Sequence, residues 1–236
     1  MSTEDLSAYL SPTSIIDSDN PAVIEYSKRV LKDVDMSDQT AVAVALYNRV
    51  RDDFLYNPYI AFHREEAYRA SVVIKEGKGY CVSKAALLCA LCRVNGIPAR
   101  IGFATVKNHI ATQQLIDLIG TNEFAYHGFT EILLNDEWVA ATPAFDRLTC
   151  RRHKVEPLAF NGSDDSKYQA YDLDNNLFME YVEDLGHYAD IPVDKIIAKF
   201  RVKYGDEIVD KWIDAFNSMR GIAKRRFDQE DVVQST

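Results

Sequence analysis

Gly77-Lys78-Gly79-Tyr80-Cys81-Val82-Ser83-Lys84-Ala85-Ala86-Leu87-Leu88-Cys89-Ala90-Leu91-Cys92-Arg93-Val94-Asn95-Gly96 is the stretch on which the reading of this chain turns. From Cys81 to Asn95 apolar residues fall on almost every side, and Gly96 with Pro98 behind it stops the run. The segment therefore reads as a buried central helix. Two glycines stand just before a cysteine at its start. Unpaired N–H groups and the positive dipole end favour a thiolate there, which predicts a thiol pKa below the free value and a nucleophile at neutral pH. Lys84, one turn along, adds to the effect if its side chain turns back.

Downstream the period changes from helical to alternating, in 99–104 and again in 127–133, and Asn135-Asp136 separates the second run from Glu137-Trp138-Val139-Ala140 as a hairpin turn would. A helix followed by a largely antiparallel sheet is an α+β order. The connection 105–126 carries Leu115, Ile116, Leu118 and Ile119, too apolar for a solvated loop, and is a candidate lid or substrate wall. Upstream, Asn20 caps a helix from Pro21 through Leu31, and Ser37 or Asp38 caps another carrying Val42, Leu46, Val50 and Phe54, which Asn57-Pro58 ends. Further on, Pro192-Val193-Asp194 opens a helix toward Tyr204, and Gly205-Asp206 separates it from one carrying Ile208, Trp212 and Phe216. The last dozen residues are charged and expected to fray. The chain thus divides into a helical lead-in (1–36), a core (37–160), and an acidic loop region with C-terminal helices (161–236).

Lys and Arg number 27 against 36 Asp and Glu, a formal charge of -9 with His neutral. That field repels phosphate backbones and anionic membranes, so neither nucleic acid nor a membrane surface is an expected partner. No apolar run approaches the roughly 20 residues of a membrane span. The opening MSTEDLSAYL lacks the basic and apolar regions of a signal peptide, which predicts a cytoplasmic protein. Cys89 and Cys92, inside the apolar run, read as reduced thiols packing as small hydrophobes.

A cysteine nucleophile needs a base, and His127, at the start of a strand that can lie across the helix end, supplies one. Gly79 through Leu88, Ala90 through Arg100, the Tyr126-His127-Gly128-Phe129 strand start and the Asp136-Glu137-Trp138 hairpin together resemble the cysteine-helix and histidine blocks of transglutaminase-like domains. The lead-in, Pro12 through Asp17 and Asn20 through Val23, is similar to that of bacterial members of cysteine-protease type. The resemblance implies a papain-like core with a nucleophilic Cys81, the base His127 and an acidic residue on a neighbouring strand. Where such members carry Asp followed by Pro, this chain has Thr142 before Pro143. Thr142 is the positional third member, and Asp146, reached by a turn at Pro143, is the second candidate.

The function expected on these grounds is acyl transfer through a Cys81 thioester on a peptide, protein or small amide. The enzyme would be a cysteine peptidase or amidohydrolase with water as acceptor, or a transamidase with an amine. Tyr56 and Tyr80 are candidate contributors beside the cysteine. The competing reading is a binding or scaffold module that keeps the fold without turnover. No cofactor or metal is expected. The Cys89/Cys92 and Cys150/His153 pairs are better read as core than as zinc ligands, and Asp172, Asp174, Asn176 and Glu183 fit a calcium loop except that Leu177 stands where its turn requires glycine. His109 reads as a surface residue or a cleft wall. The sequence does not fix the oligomeric state.

Overall fold

The computed structural model describes residues 5–218 and 227–234. Its centre is α4 (Cys81–Val94), in which every residue from Cys81 to Arg93 is buried. The helix ends in a Schellman motif: Gly96 sits at φ 71, its N–H bonds to Arg93 O at 3.0 Å, and the Ile97 N–H bonds to Cys92 O at 3.0 Å. Around α4 pack α1 (Pro21–Val30), α2 (Gln39–Asp53), α3 (Ala70–Glu76) and the sheet strands β3 (Ala99–Asn108) and β5 (Glu123–Leu134). Asn20 caps α1 by accepting the Ala22 N–H, and Asp38 caps α2 by accepting the Ala41 N–H, as the sequence predicts. The buried Arg93 guanidinium donates to Ser11 O, Ala99 O and Ala189 O, tying the lead-in to the core.

The main sheet has the order β6-β5-β3-β7 and all its pairings are antiparallel, with β6 at Glu137–Ala141 and β7 at Met179–Tyr188. The β5–β6 hairpin turns on Asn135 and Asp136, both at positive φ (50 and 65), as a two-residue primed turn requires. This helix-plus-antiparallel-sheet arrangement is the expected α+β class. The acidic stretch 163–184, read as a solvated loop, is corrected: its end enters β7. That edge strand is mostly exposed and rich in acidic residues, which blunts an open sheet edge but gives no alternating apolar pattern to read.

The 105–126 connection folds as the end of β3, β4 (Ile110–Thr112), α5 (Gln113–Ile119) and the start of β5. A short parallel pair joins β1 (Leu55–Tyr56) to β2 (Lys78–Gly79), and α6 spans Arg147–His153. The C-terminal helices are α7 (Val193–Tyr204) and α8 (Asp206–Asn217). Of the last dozen residues, expected to fray, 225, 226, 235 and 236 lie outside the described residues. The remainder is ordered into a turn at Phe227–Gln229 and β8 (Val232–Gln234), paired with β4. Among the described residues no helix is long and apolar enough to cross a membrane.

Candidate active site

Cys81 is the first residue of α4, with the extended Tyr80 before it donating its N–H to Ser83 Oγ at 3.0 Å. Strand β5 crosses this end of the helix at very short range. A Cβ on Gly128 would stand 2.9 Å from Val82 Cα, a backbone atom that cannot yield, so glycine is required there. Through this approach the Gly128 N–H joins those of Val82 and Cys81 near the cysteine sulfur, where all three favour its thiolate form. His127 is the next residue along the strand, paired with Ala104. Beside it the register jumps to Val106 opposite Phe124, with Tyr126 at φ 56, a bulge that re-aims the strand at the histidine. Cys81 and His127 line one cavity of about 130 Å³, together with Tyr56 and Tyr80.

The expected low thiol pKa is not what this environment gives. Burial pushes the Cys81 thiol up to about 11, outweighing the three N–H groups that favour the thiolate. Burial likewise pushes His127 down to about 4, with no carboxylate to offset it. Thiol and imidazole are therefore both neutral near pH 7. Lys84 does not help the sulfur. Its ammonium is fully buried and donates to Arg51 O (2.9 Å), Phe54 O (2.7 Å) and Ala144 O (2.8 Å), with burial lowering its pKa to about 7.

His127 also lines a second, much smaller cavity of about 10 Å³, shared with Thr142. His127 Nε2 and Thr142 Oγ1 are both buried and without a hydrogen-bond partner. Asp146, the second candidate, lines neither cavity. Its carboxylate caps α6, accepting from Leu148 N (2.8 Å), Thr149 N (3.0 Å), Thr149 Oγ1 (2.8 Å) and Tyr56 N (2.7 Å). The turn at Pro143 thus delivers Asp146 to a helix cap and to β1 instead of to His127.

The remaining candidates are dispersed. His109 Nε2 pairs with Glu180 at 2.6 Å, away from the cavity wall. All four cysteines are free. His153 Nδ1 meets Thr149 O at 3.0 Å, and among the described residues no group of three metal-ligating side chains converges. Asp172 closes its own turn onto Asp174 N and Asn176 N, while Glu183 on β7 binds Lys199.

A wall residue and its buried neighbour have no signal in the sequence. Phe227, just before β8, is buried in the cavity wall with its ring 5.2 Å from Tyr56, and it stacks on His153 at 5.7 Å. Glu230 is buried beside it and accepts from Tyr59 Oη (2.6 Å) and Thr112 Oγ1 (2.7 Å). Both stand in a charged, polar tail, where isolated apolar residues carry no periodicity.

Residues 28–143 match the family model of the transglutaminase-like superfamily. No curated protein matches the chain. A solved structure from Cytophaga hutchinsonii, described as "a Putative Cysteine Protease", is similar over 79% of this chain at 16% identity and a TM-score of 0.48, and the match spans 48% of that protein's length. The cysteine helix, the bulged histidine strand and the Trp138 hairpin all lie within the matched span, and residues 28–143 of this chain, just under half of it, are similar to transglutaminase-like domains.

Proposed function

We propose that this domain catalyses thiol-dependent acyl transfer on an amide or peptide carbonyl through a thioester on Cys81. The reading is carried by the cavity that Cys81 and His127 share, on whose described wall Cys81 is the one cysteine. Because both groups rest neutral, proton transfer accompanies attack as general-base catalysis: His127 takes the thiol proton while Sγ bonds to the carbonyl carbon. The C–N bond then breaks, the amine leaves with the proton from the imidazolium, and a thioester remains. Water or a second amine then attacks the thioester, its proton passing to His127; the C–S bond breaks, and the imidazolium returns that proton to the departing Cys81 sulfur. The Cys81 backbone N–H is one donor to the developing oxyanion, and the Tyr56 and Tyr80 hydroxyls are the side-chain candidates. Thr142 is assigned the orienting role, because its unpartnered hydroxyl and the unpartnered His127 Nε2 belong to residues that share a cavity of about 10 Å³, of the order that holds one water.

The test is trapping. Incubation with p-nitrophenyl acetate should give an acetylated protein by intact mass spectrometry, mapped to Cys81, absent in Cys81→Ala and slowed by at least about a hundredfold in His127→Gln. A wild-type protein left unmodified, or modified equally at Cys89, Cys92 and Cys150, would favour a fold kept without turnover.

A further inference from the structure

Charged residues make up 27% of this chain. None of the side chains lining the Cys81 cavity is Asp, Glu, Lys or Arg. Away from Cys81 and its neighbours Tyr56 and Tyr80, four polar tips on the wall are held by the frame. Tyr59 Oη bonds Glu230, Tyr204 Oη bonds Glu123 O (3.1 Å), Trp212 Nε1 bonds Leu118 O (3.0 Å) and His153 bonds Thr149 O. Beyond the Cys81–His127 end, the cavity presents mainly carbon, from residues such as Leu115, Leu118, Phe124 and Phe227. Its volume, about 130 Å³, is near the roughly 150 Å³ at which an apolar protein cavity accepts one benzene.

Resting on the acyl-transfer reading above, we infer that the acyl donor carries an aromatic or branched aliphatic group of about one phenyl ring, seated in this cavity with its carbonyl at Cys81. A carboxamide or charged side chain entering the same space would lose its hydration to a wall that presents mainly carbon and no charged side chain, which costs more than its methylenes gain. Phe227 bounds the space from the C-terminal segment, and so sets the size limit.

The experiment compares p-nitrophenyl esters that differ only in the acyl part: acetyl, 3-phenylpropionyl, 4-carbamoylbutanoyl, glutaryl and 3-(2-naphthyl)propionyl. Acylation rates of Cys81 are normalised to those of N-acetylcysteine. The phenyl ester should exceed acetyl by at least about tenfold, and the carbamoyl and glutaryl esters should fall below the phenyl ester by more than that. The naphthyl ester should be slower than phenyl in the wild type and regain rate in Phe227→Ala or Leu115→Ala. Carbamoyl or glutaryl esters reacting as fast as phenyl would overturn the inference while leaving the thiol chemistry intact. If no ester, acetyl included, acylates Cys81, the acyl-transfer reading itself fails. Binding to Cys81→Ala, followed by the Trp212 indole NMR signal, reads the cavity without chemistry. 3-Phenylpropionamide should shift that signal and glutaramide should not, and the reverse order would overturn the inference.

Discussion

Lys84 Nζ donates to the carbonyl oxygen of Ala144 at 2.8 Å, joining the cysteine helix to the segment that carries Thr142. The same ammonium reaches Arg51 O and Phe54 O at the end of α2, so its three protons meet three carbonyls. One side chain thus fixes the distance between the helix that holds the nucleophile and the strand end behind the base.

Lys84→Met should therefore act on stability before chemistry. It keeps the apolar stem but leaves three buried carbonyls without a donor, and a loss of about 2–4 kcal/mol is expected in urea unfolding at pH 7. A loss under about 0.5 kcal/mol would mean that the carbonyls find other donors and that the lysine is no strut.

Gly128→Ala tests the closeness of β5 to α4. The added methyl would meet Val82 Cα at 2.9 Å, so strand and helix must part by several tenths of an ångström. The expected cost is about 1–3 kcal/mol. The Gly128 N–H should also withdraw from the sulfur, so Cys81 acylation per folded molecule should fall. Gly96→Ala, at a φ of 71 with nothing within 4 Å of its added Cβ, is the control: strained in backbone but remote from the sulfur. It should lower stability and leave acylation unchanged.

The cysteine helix, its Gly96 stop, the hairpin at Asn135-Asp136 and the α+β order were all legible, because each rests on a local rule: a continuous apolar run, a left-handed cap, a primed turn. The apolar content of 105–126 marked it as a wall, and Leu115 and Leu118 do line the cavity. Less was legible where tertiary structure decides. Strand β7 is an exposed edge without alternation, and Phe227 and Glu230 gain their meaning only by pairing with β4. The electrostatics of Cys81 misled for a similar reason: a helix start can be read from sequence, but the desolvation that outweighs it comes from the tertiary packing around the sulfur.

The depressed His127 pKa has a consequence for stability, and its sign follows from proton binding. In the folded protein the imidazole takes its proton near pH 4, whereas the ordinary value is 6.5. Between these values the unfolded chain holds a proton that the folded one does not, so stability falls as pH falls through 6.5 toward 4, by about 3 kcal/mol at full depth. Above pH 6.5 the residue contributes no pH dependence. His127→Gln has no such proton, so urea midpoints measured from pH 7 to pH 4 should show the variant gaining on the wild type as pH falls. Parallel curves would place the imidazole in contact with water or with a charge partner.

Thr142 and Asp146 are separated by what each does when altered. Thr142 Oγ1 has no partner in the folded state, so Thr142→Val, close in shape, removes a buried unsatisfied hydroxyl and should leave stability unchanged or raise it. If that hydroxyl orients His127, acylation should nonetheless slow by about tenfold, and the tautomer ratio of the imidazole read by nitrogen NMR should change. Asp146→Asn should show the opposite pattern. It keeps one acceptor for the α6 cap but weakens a carboxylate that takes four donors, so stability should drop by about 1–2 kcal/mol. Acylation per folded molecule should hold, because Asp146 borders neither face of the imidazole. Rate loss in Asp146→Asn at full stability, with none in Thr142→Val, would transfer the orienting role to the aspartate. Rate loss in neither, with an unchanged tautomer ratio, would leave His127 held by the bulged strand alone and the site a Cys-His pair.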